Sequence, residues 1–159
     1  MTCRAQYDRT PLEGGPRSAG PVEAALSRRP LRGSLPGMEI RVGEVVVHYV
    51  EHGTGRPVLV LHGASVDHRE AEACFELVFD GVAGLRRIYP DLPGMGRTTA
   101  PETLRSADDV LDTLLNFADE VIGGTAHLLI GHSAGAYYAQ AMAARRPAQV
   151  AGLALVCPL

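Results

Sequence analysis

The aliphatic run Leu128-Leu129-Ile130 stops at Gly131 and passes, with no linker, into an alanine-rich helical pattern that begins at Ala134. Ser133 stands at the break, with Gly131 and Gly135 as its second neighbours. Such a stretch reads as strand, sharp turn and helix, with the serine at the apex. The spacing has a steric cause. A turn this tight strains the serine backbone, and a side chain at either glycine would collide with the neighbouring strand or helix. The strain lifts the hydroxyl above the sheet and aims the first amides of the helix at the space beside it. A glycine-rich turn that contains a serine by chance is the competing reading. The strand before and the helix after favour a nucleophile elbow.

The flanking sequence repeats the same alternation. Glu39-Ile40-Arg41-Val42 and Glu44 to Val50 read as two strands joined by a tight turn at Gly43. Val58-Leu59-Val60-Leu61 is unbroken aliphatic sequence, as in a parallel strand covered on both faces. Arg69 to about Val82 has helical spacing with Ala73, Leu77 and Val78 among its apolar positions, and Leu85 to Tyr89 is again a strand. Ser106 is a good N-cap for a helix that starts with Asp108 and Asp109, shows Val110, Leu111, Leu114, Leu115, Ala118 and Val121 on one face, and stops at Gly123-Gly124. His127 to Ile130 feeds the serine turn, Ala134 to Arg146 is the helix that leaves it, Pro147 stops that helix, and Val150 to Val156 is one more strand. The pattern predicts a three-layer α/β fold with a mostly parallel sheet over residues 38–159.

Residues 1–37 differ in kind. They carry six arginines among Pro, Gly and Ser and show neither helical nor strand period. Such a stretch does not bury enough apolar surface to offset its ordering entropy, so a disordered extension is expected. It lacks the apolar core of about 7–15 residues that a secretion signal needs.

Composition excludes more than it selects. A net charge of -3 gives no reason to expect nucleic acid or an anionic membrane as partner, and the absence of Trp removes a common stacking platform. No apolar run approaches the about 20 residues that span a bilayer. Cys3, Cys74 and Cys157 are odd in number, widely spaced and fit no metal motif. Buried free thiols and a reducing cytoplasm are expected, with no metal and no cofactor.

In a sheet of this kind ligands bind at the carboxyl ends of the strands. There the turn at Ser133 would meet His62-Gly63-Ala64-Ser65 and the loop from Asp91 to Arg97. Ser133 is the candidate nucleophile. The backbone N–H groups of Ala134 and Ala64 are the candidate oxyanion donors, with Ser65 second to Ala64. His62 is expected to fix its loop by hydrogen bonding, His132 to pack or hydrogen-bond beneath the turn, and His48 and His127 to be ordinary strand residues. The Asp91–Arg97 loop is expected to hold the top of the sheet, and its glycines do not make it a phosphate cradle.

From about Glu39 to Leu159 the chain resembles the first part of an α/β-hydrolase fold protein of the serine hydrolase type. The resemblance rests on Leu61-His62-Gly63, Asp91-Leu92-Pro93-Gly94-Met95-Gly96-Arg97 and Gly131-His132-Ser133-Ala134-Gly135, in that order. It implies hydrolysis of a small acyl substrate (ester, thioester or carbon–carbon bond) through an acyl-enzyme. The haloalkane dehalogenases and epoxide hydrolases of this fold use aspartate where Ser133 stands. The loop at 62–65 lacks the Gly-Gly-Pro-Gly of proline iminopeptidases.

The resemblance also implies an acid and then a histidine after the nucleophile, to take up its proton. The last acidic residue here is Glu120 and the last histidine is His132. This chain is therefore expected to be weakly active or inactive, as a chain truncated after the sixth strand. A substitute base from His62 or His68, with Asp67 or Asp91 as orienter, would need an unfamiliar arrangement. The alternative is a non-catalytic binding or assembly module that self-associates through the apolar edge of residues 151–156, which no charge or bulge guards.

Overall fold

The computed structural model describes residues 37–158; the expected disordered extension and Cys3 lie outside the described residues. Strands β1 (Met38–Val42), β2 (Val45–His52), β3 (Arg56–Leu61), β4 (Leu85–Pro90), β5 (His127–His132) and β6 (Val150–Val156) form one sheet in the order β1-β2-β4-β3-β5-β6. β4, β3, β5 and β6 run parallel, while β1 and β2 form a hairpin that adds antiparallel to β4. The sheet is mixed, with its parallel part around the central strand β3.

The strand period of two decides what each face holds. Val58, Leu59, Val60 and Leu61 are all fully buried. Val58 and Val60 join Val50, Tyr89 and Ala71 on one face, under the helix α1 (His68–Phe75). Leu59 and Leu61 join Leu129, Ile88 and Val47 on the other, under α2 (Ala107–Ile122) and α3 (Ala134–Arg145). These are the three layers that the alternation predicts.

α2 follows its local signals closely. Ser106 and Asp109 make a reciprocal capping box, and Gly123 ends the helix at φ 72 in the left-handed region that favours glycine. Leu111, Leu114, Leu115 and Ala118 are buried as the period requires, with Phe117 and Ile122 in addition. Arg145 of α3 pairs with Asp108 and Asp112 of α2, and Arg146 with Asp119. These largely exposed pairs link two helices already held by apolar packing and are worth little in stability.

Two expectations are corrected. α1 ends at Phe75, not near Val82, and Leu77 and Val78 are each 69% exposed. The segment after Phe75 proceeds through turns, so a helical period read across residues 69–82 crossed a real helix end. Cys74 and Cys157 are exposed rather than buried. Cys74 lies on the outer side of α1, and Cys157 follows the end of β6, where its φ of 48 turns the chain.

Candidate active site

Ser133 has φ 51 and ψ -116, a strained backbone for a residue with a Cβ. The close approach at the two flanking glycines accounts for it. A Cβ on Gly131 would lie 2.4 Å from the Gly135 carbonyl oxygen, and one on Gly135 would lie 2.3 Å from the Leu61 carbonyl oxygen. No side chain fits at either place, so β5 and α3 meet backbone against backbone and the turn closes around Ser133. Its N–H donates to the Val156 carbonyl at 2.9 Å, which ties the apex to β6.

Peptide planarity then aims the amides. The Ser133 carbonyl accepts from Ala136 and Tyr137 N–H within α3, at 2.9 and 3.1 Å. In a trans peptide the C=O and the following N–H point in opposite directions, so the Ala134 N–H points out of the helix start. The loop after β3 is aimed in the same way. His62 is fully buried, its Nε2 accepts from Leu92 N–H at 2.8 Å, and its Nδ1 donates to the Gly63 carbonyl at 2.6 Å. Holding the Gly63 carbonyl against His62 turns the Ala64 N–H of the same peptide to the other side. Burial pushes the His62 pKa down, which keeps the ring neutral and able to serve both bonds. His62 is thus the hydrogen-bonding spacer expected of it.

The loop and the turn are neighbours. A Cβ on Gly63 would lie 3.7 Å from Ser133 Cβ and 3.3 Å from His132 Nδ1. Three non-glycine residues adopt positive φ among the described residues: Ser65 (62°), Ser133 (51°) and Cys157 (48°). They follow β3, β5 and β6 at their carboxyl ends, so the backbone strain collects on one rim of the sheet.

Asp91 anchors that rim from below. It is fully buried and accepts from His48 Nδ1 (3.0 Å), His68 N (2.8 Å), His68 Nδ1 (2.8 Å) and Arg97 N (2.9 Å). Burial raises its pKa, but the Arg97 and His68 amides and the His68 ring outweigh that and hold the carboxyl below its usual range. Gly96 must be glycine here, since a Cβ would lie 2.4 Å from the carboxylate and its φ is +55. The Asp91–Arg97 loop therefore holds the top of the sheet as expected. His48, by contrast, is not an ordinary strand residue, because its ring faces Asp91 and helps to join β2, α1 and the loop after β4. His127 does stay local, bonding to the Thr125 carbonyl.

Among the described residues, the grouping of metal-ligating side chains with atoms within 4.8 Å of one another is His48, His68 and Asp91. The Asp91 carboxylate already accepts four N–H groups, about its full lone-pair capacity. A cation there would have to displace protons from both rings, so the set suits a hydrogen-bond hub better than a metal centre. The same bonding commits His68 and Asp91 to the rim, away from service as a substitute base pair. The ring of His132 lies near a second carboxylate that composition and period did not single out. Its Nδ1 is 2.7 Å from Glu70 Oε1, a close contact rather than an in-line hydrogen bond. The only local signal at Glu70 was the Asp67-His68-Arg69-Glu70 pattern, which reads as a capping box. Asp67 does cap α1, and the Arg69 side chain beside it holds its pKa down to about 2.

Residues 58–159 match the model of the alpha/beta hydrolase family, and the chain belongs to that family. An epoxide hydrolase of Caballeronia sordidicola is 31% identical over 127 residues, covering 74% of this chain and 35% of that protein. A 2-hydroxy-6-oxononadienedioate/2-hydroxy-6-oxononatrienedioate hydrolase of Burkholderia vietnamiensis is 34% identical over 116 residues, covering 71% of this chain and 40% of that protein. The crystal structure of an alpha/beta superfamily hydrolase from Oenococcus oeni superposes with a TM-score of 0.62 at 40% identity, over 71% of this chain and 42% of that one. The chain thus spans well under half the length of the relatives it matches. No helix among the described residues is long and apolar enough to cross a membrane.

Proposed function

We propose that residues 38–159 carry the nucleophile half of a serine hydrolase site. Ser133 attacks an acyl carbon, and the N–H groups of Ala134 and Ala64 receive the oxyanion that develops on the carbonyl oxygen. The observation that carries the reading is the backbone of Ser133, held at positive φ between two glycines that admit no side chain. Strain of this kind costs on the order of 1–3 kcal/mol, and an ordinary turn would relax it. The substrate class is a small acyl compound: an ester, a thioester or a ketone cleaved at a carbon–carbon bond. A relative that hydrolyses a 2-hydroxy-6-oxo dienedioate keeps the last of these in view. Epoxide opening, named for the other relative, fits less well, because a serine stands where the aspartate nucleophile of such enzymes is expected.

No acidic residue and no histidine follows Ser133 in this chain. With no base placed as the family's mechanism places it, the 159-residue chain hydrolyses esters slowly or not at all. The elbow and its amides retain only the small residual effect of a site without its acid–base pair. The check is p-nitrophenyl acetate hydrolysis by the chain and by Ser133→Ala. A small difference between the two is expected. A serine-dependent rate near that of a complete enzyme would mean that a base within residues 38–132 serves Ser133.

A second reading has its own observation. β6 closes one edge of the described sheet, and Leu153 and Val156 are 43% and 40% exposed. An apolar edge strand is a template for pairing with another chain, so β6 supports assembly, including self-association. Sedimentation at rising concentration tests it. A concentration-dependent dimer suppressed by Leu153→Lys supports assembly, and a monomer throughout with no partner binding counts against it.

A further inference from the structure

The Glu70 carboxylate serves none of the roles assigned above, yet it stands between the two parts of the site. Its Oε2 accepts the Gly63 N–H at 3.2 Å, and its Oε1 lies 2.7 Å from His132 Nδ1. Cys74 Sγ, one turn along α1, donates to the same Oε1 at 3.4 Å. One carboxylate on α1 therefore grips the loop after β3 on one side and the last residue of β5 on the other. Gly63 is held at both of its polar groups, its N–H by Glu70 and its carbonyl by His62. The peptide between Gly63 and Ala64 then has little freedom to turn.

We infer that Glu70 is a positioning residue that fixes the spacing between the loop at 62–65 and the turn at Ser133, so that the Ala64 and Ala134 N–H groups converge on one oxygen. The inference rests on the serine reading given above. A donor pair stabilises an oxyanion only when both N–H groups stand about 3 Å from the place where the charge develops. Gly63 abuts both His132 and Ser133, and the bond to Glu70 is what holds its N–H end in the observed direction. Misplacing one donor by about 1 Å costs up to about a hundredfold in rate. The loss falls on kcat, because a neutral ground-state carbonyl depends far less on the donors than the oxyanion does.

The test compares the wild-type chain with Glu70→Ala, Glu70→Asp and Glu70→Gln, with Ser133→Ala as the baseline in each assay. Two quantities are read: Ser133-dependent release of p-nitrophenol, and hydrogen exchange at the Gly63 amide by NMR. Glu70→Ala is expected to speed Gly63 exchange by about ten- to a hundredfold and, where serine-dependent release is measurable, to lower its kcat by a similar factor with little change in KM. Glu70→Gln keeps an acceptor at the same reach and restores both to within about threefold of wild type. Glu70→Asp keeps the charge but is one methylene shorter, so it behaves like alanine, and it serves in its place if Glu70→Ala does not fold. Rescue by Asp but not by Gln would overturn the inference, since charge rather than reach would then matter. So would unchanged kcat and unchanged exchange in folded Glu70→Ala. If the wild-type chain shows no serine-dependent release, as the lack of an acid and a histidine after Ser133 allows, Gly63 exchange alone decides the tie: faster exchange in Glu70→Ala upholds it and unchanged exchange refutes it.

Discussion

Asp91→Ala is expected to destabilise the chain by about 3–5 kcal/mol, the cost of removing one partner from a buried charged network. The carboxylate accepts from two ring nitrogens and two amides, and all four donors would lose their acceptor at once. Each orphaned buried donor costs about 1–3 kcal/mol, and Asp91 itself is fully buried. Domains have only about 5–15 kcal/mol to lose, so the variant is near the limit of folding at 37 °C. Asp91→Asn keeps the shape but turns an amide N–H₂ toward N–H donors, and a loss of about 2 kcal/mol or more is expected. Urea unfolding followed by circular dichroism reads both, and a midpoint within error of wild type for Asp91→Ala would refute the network's importance.

The same carboxylate sets the pH dependence. Its folded pKa lies below its unfolded value, so the unfolded chain binds a proton first on acidification. The Asp91 contribution is therefore complete above the unfolded pKa, near about 4, and is lost as pH falls through the folded one. His62 acts in the same direction from higher pH. Its folded pKa is lowered by burial, so stability starts to fall once the pH drops below the unfolded value of about 6.5. Wild-type stability should decline in acid, and the part of that decline below about pH 4 should flatten in Asp91→Asn.

Gly135→Ala is expected to cost about 3 kcal/mol or more, although it adds a single methyl group. Two effects of opposite sign compete. Alanine in a helix gains up to about 1 kcal/mol over glycine in an interior position, and less in the first turn, where Gly135 lies. Against this, the new Cβ would lie 2.3 Å from the Leu61 carbonyl oxygen and 2.6 Å from that of His62. Those atoms belong to the end of the central strand β3 and to the loop that aims Ala64, so no flexible side chain can give way. α3 must lift from the sheet, taking Ser133 and the Ala134 N–H with it. The steric term wins, and both the urea midpoint and any serine-dependent ester hydrolysis should fall. A midpoint equal to or above wild type would show that the elbow is looser than its backbone contacts imply.

What proved legible in the sequence was what depends on neighbours along the chain. The aliphatic period of β3, the Ser106–Asp109 cap and Gly123 stop of α2, and the break from strand to helix at Ser133 are local choices, each settled within a turn or a strand. The roles of His48 and Glu70 were not legible. His48 meets Asp91 across 43 positions in sequence, and nothing near either residue announces the other. Glu70 sits in a pattern that reads as a cap, and only the packing of α1 against the ends of β3 and β5 sends its carboxylate to Gly63 and His132. The helical period through Leu77 and Val78 misled for a related reason: apolar spacing records what could pack, not whether a surface is there to receive it. The sequence alone determined an α/β alternation with a serine at its sharpest turn, because steric limits on glycine and serine act over a few bonds. The tertiary structure alone decided how that serine's surroundings are held, because the carboxylates that hold them join segments that meet only once the sheet has formed.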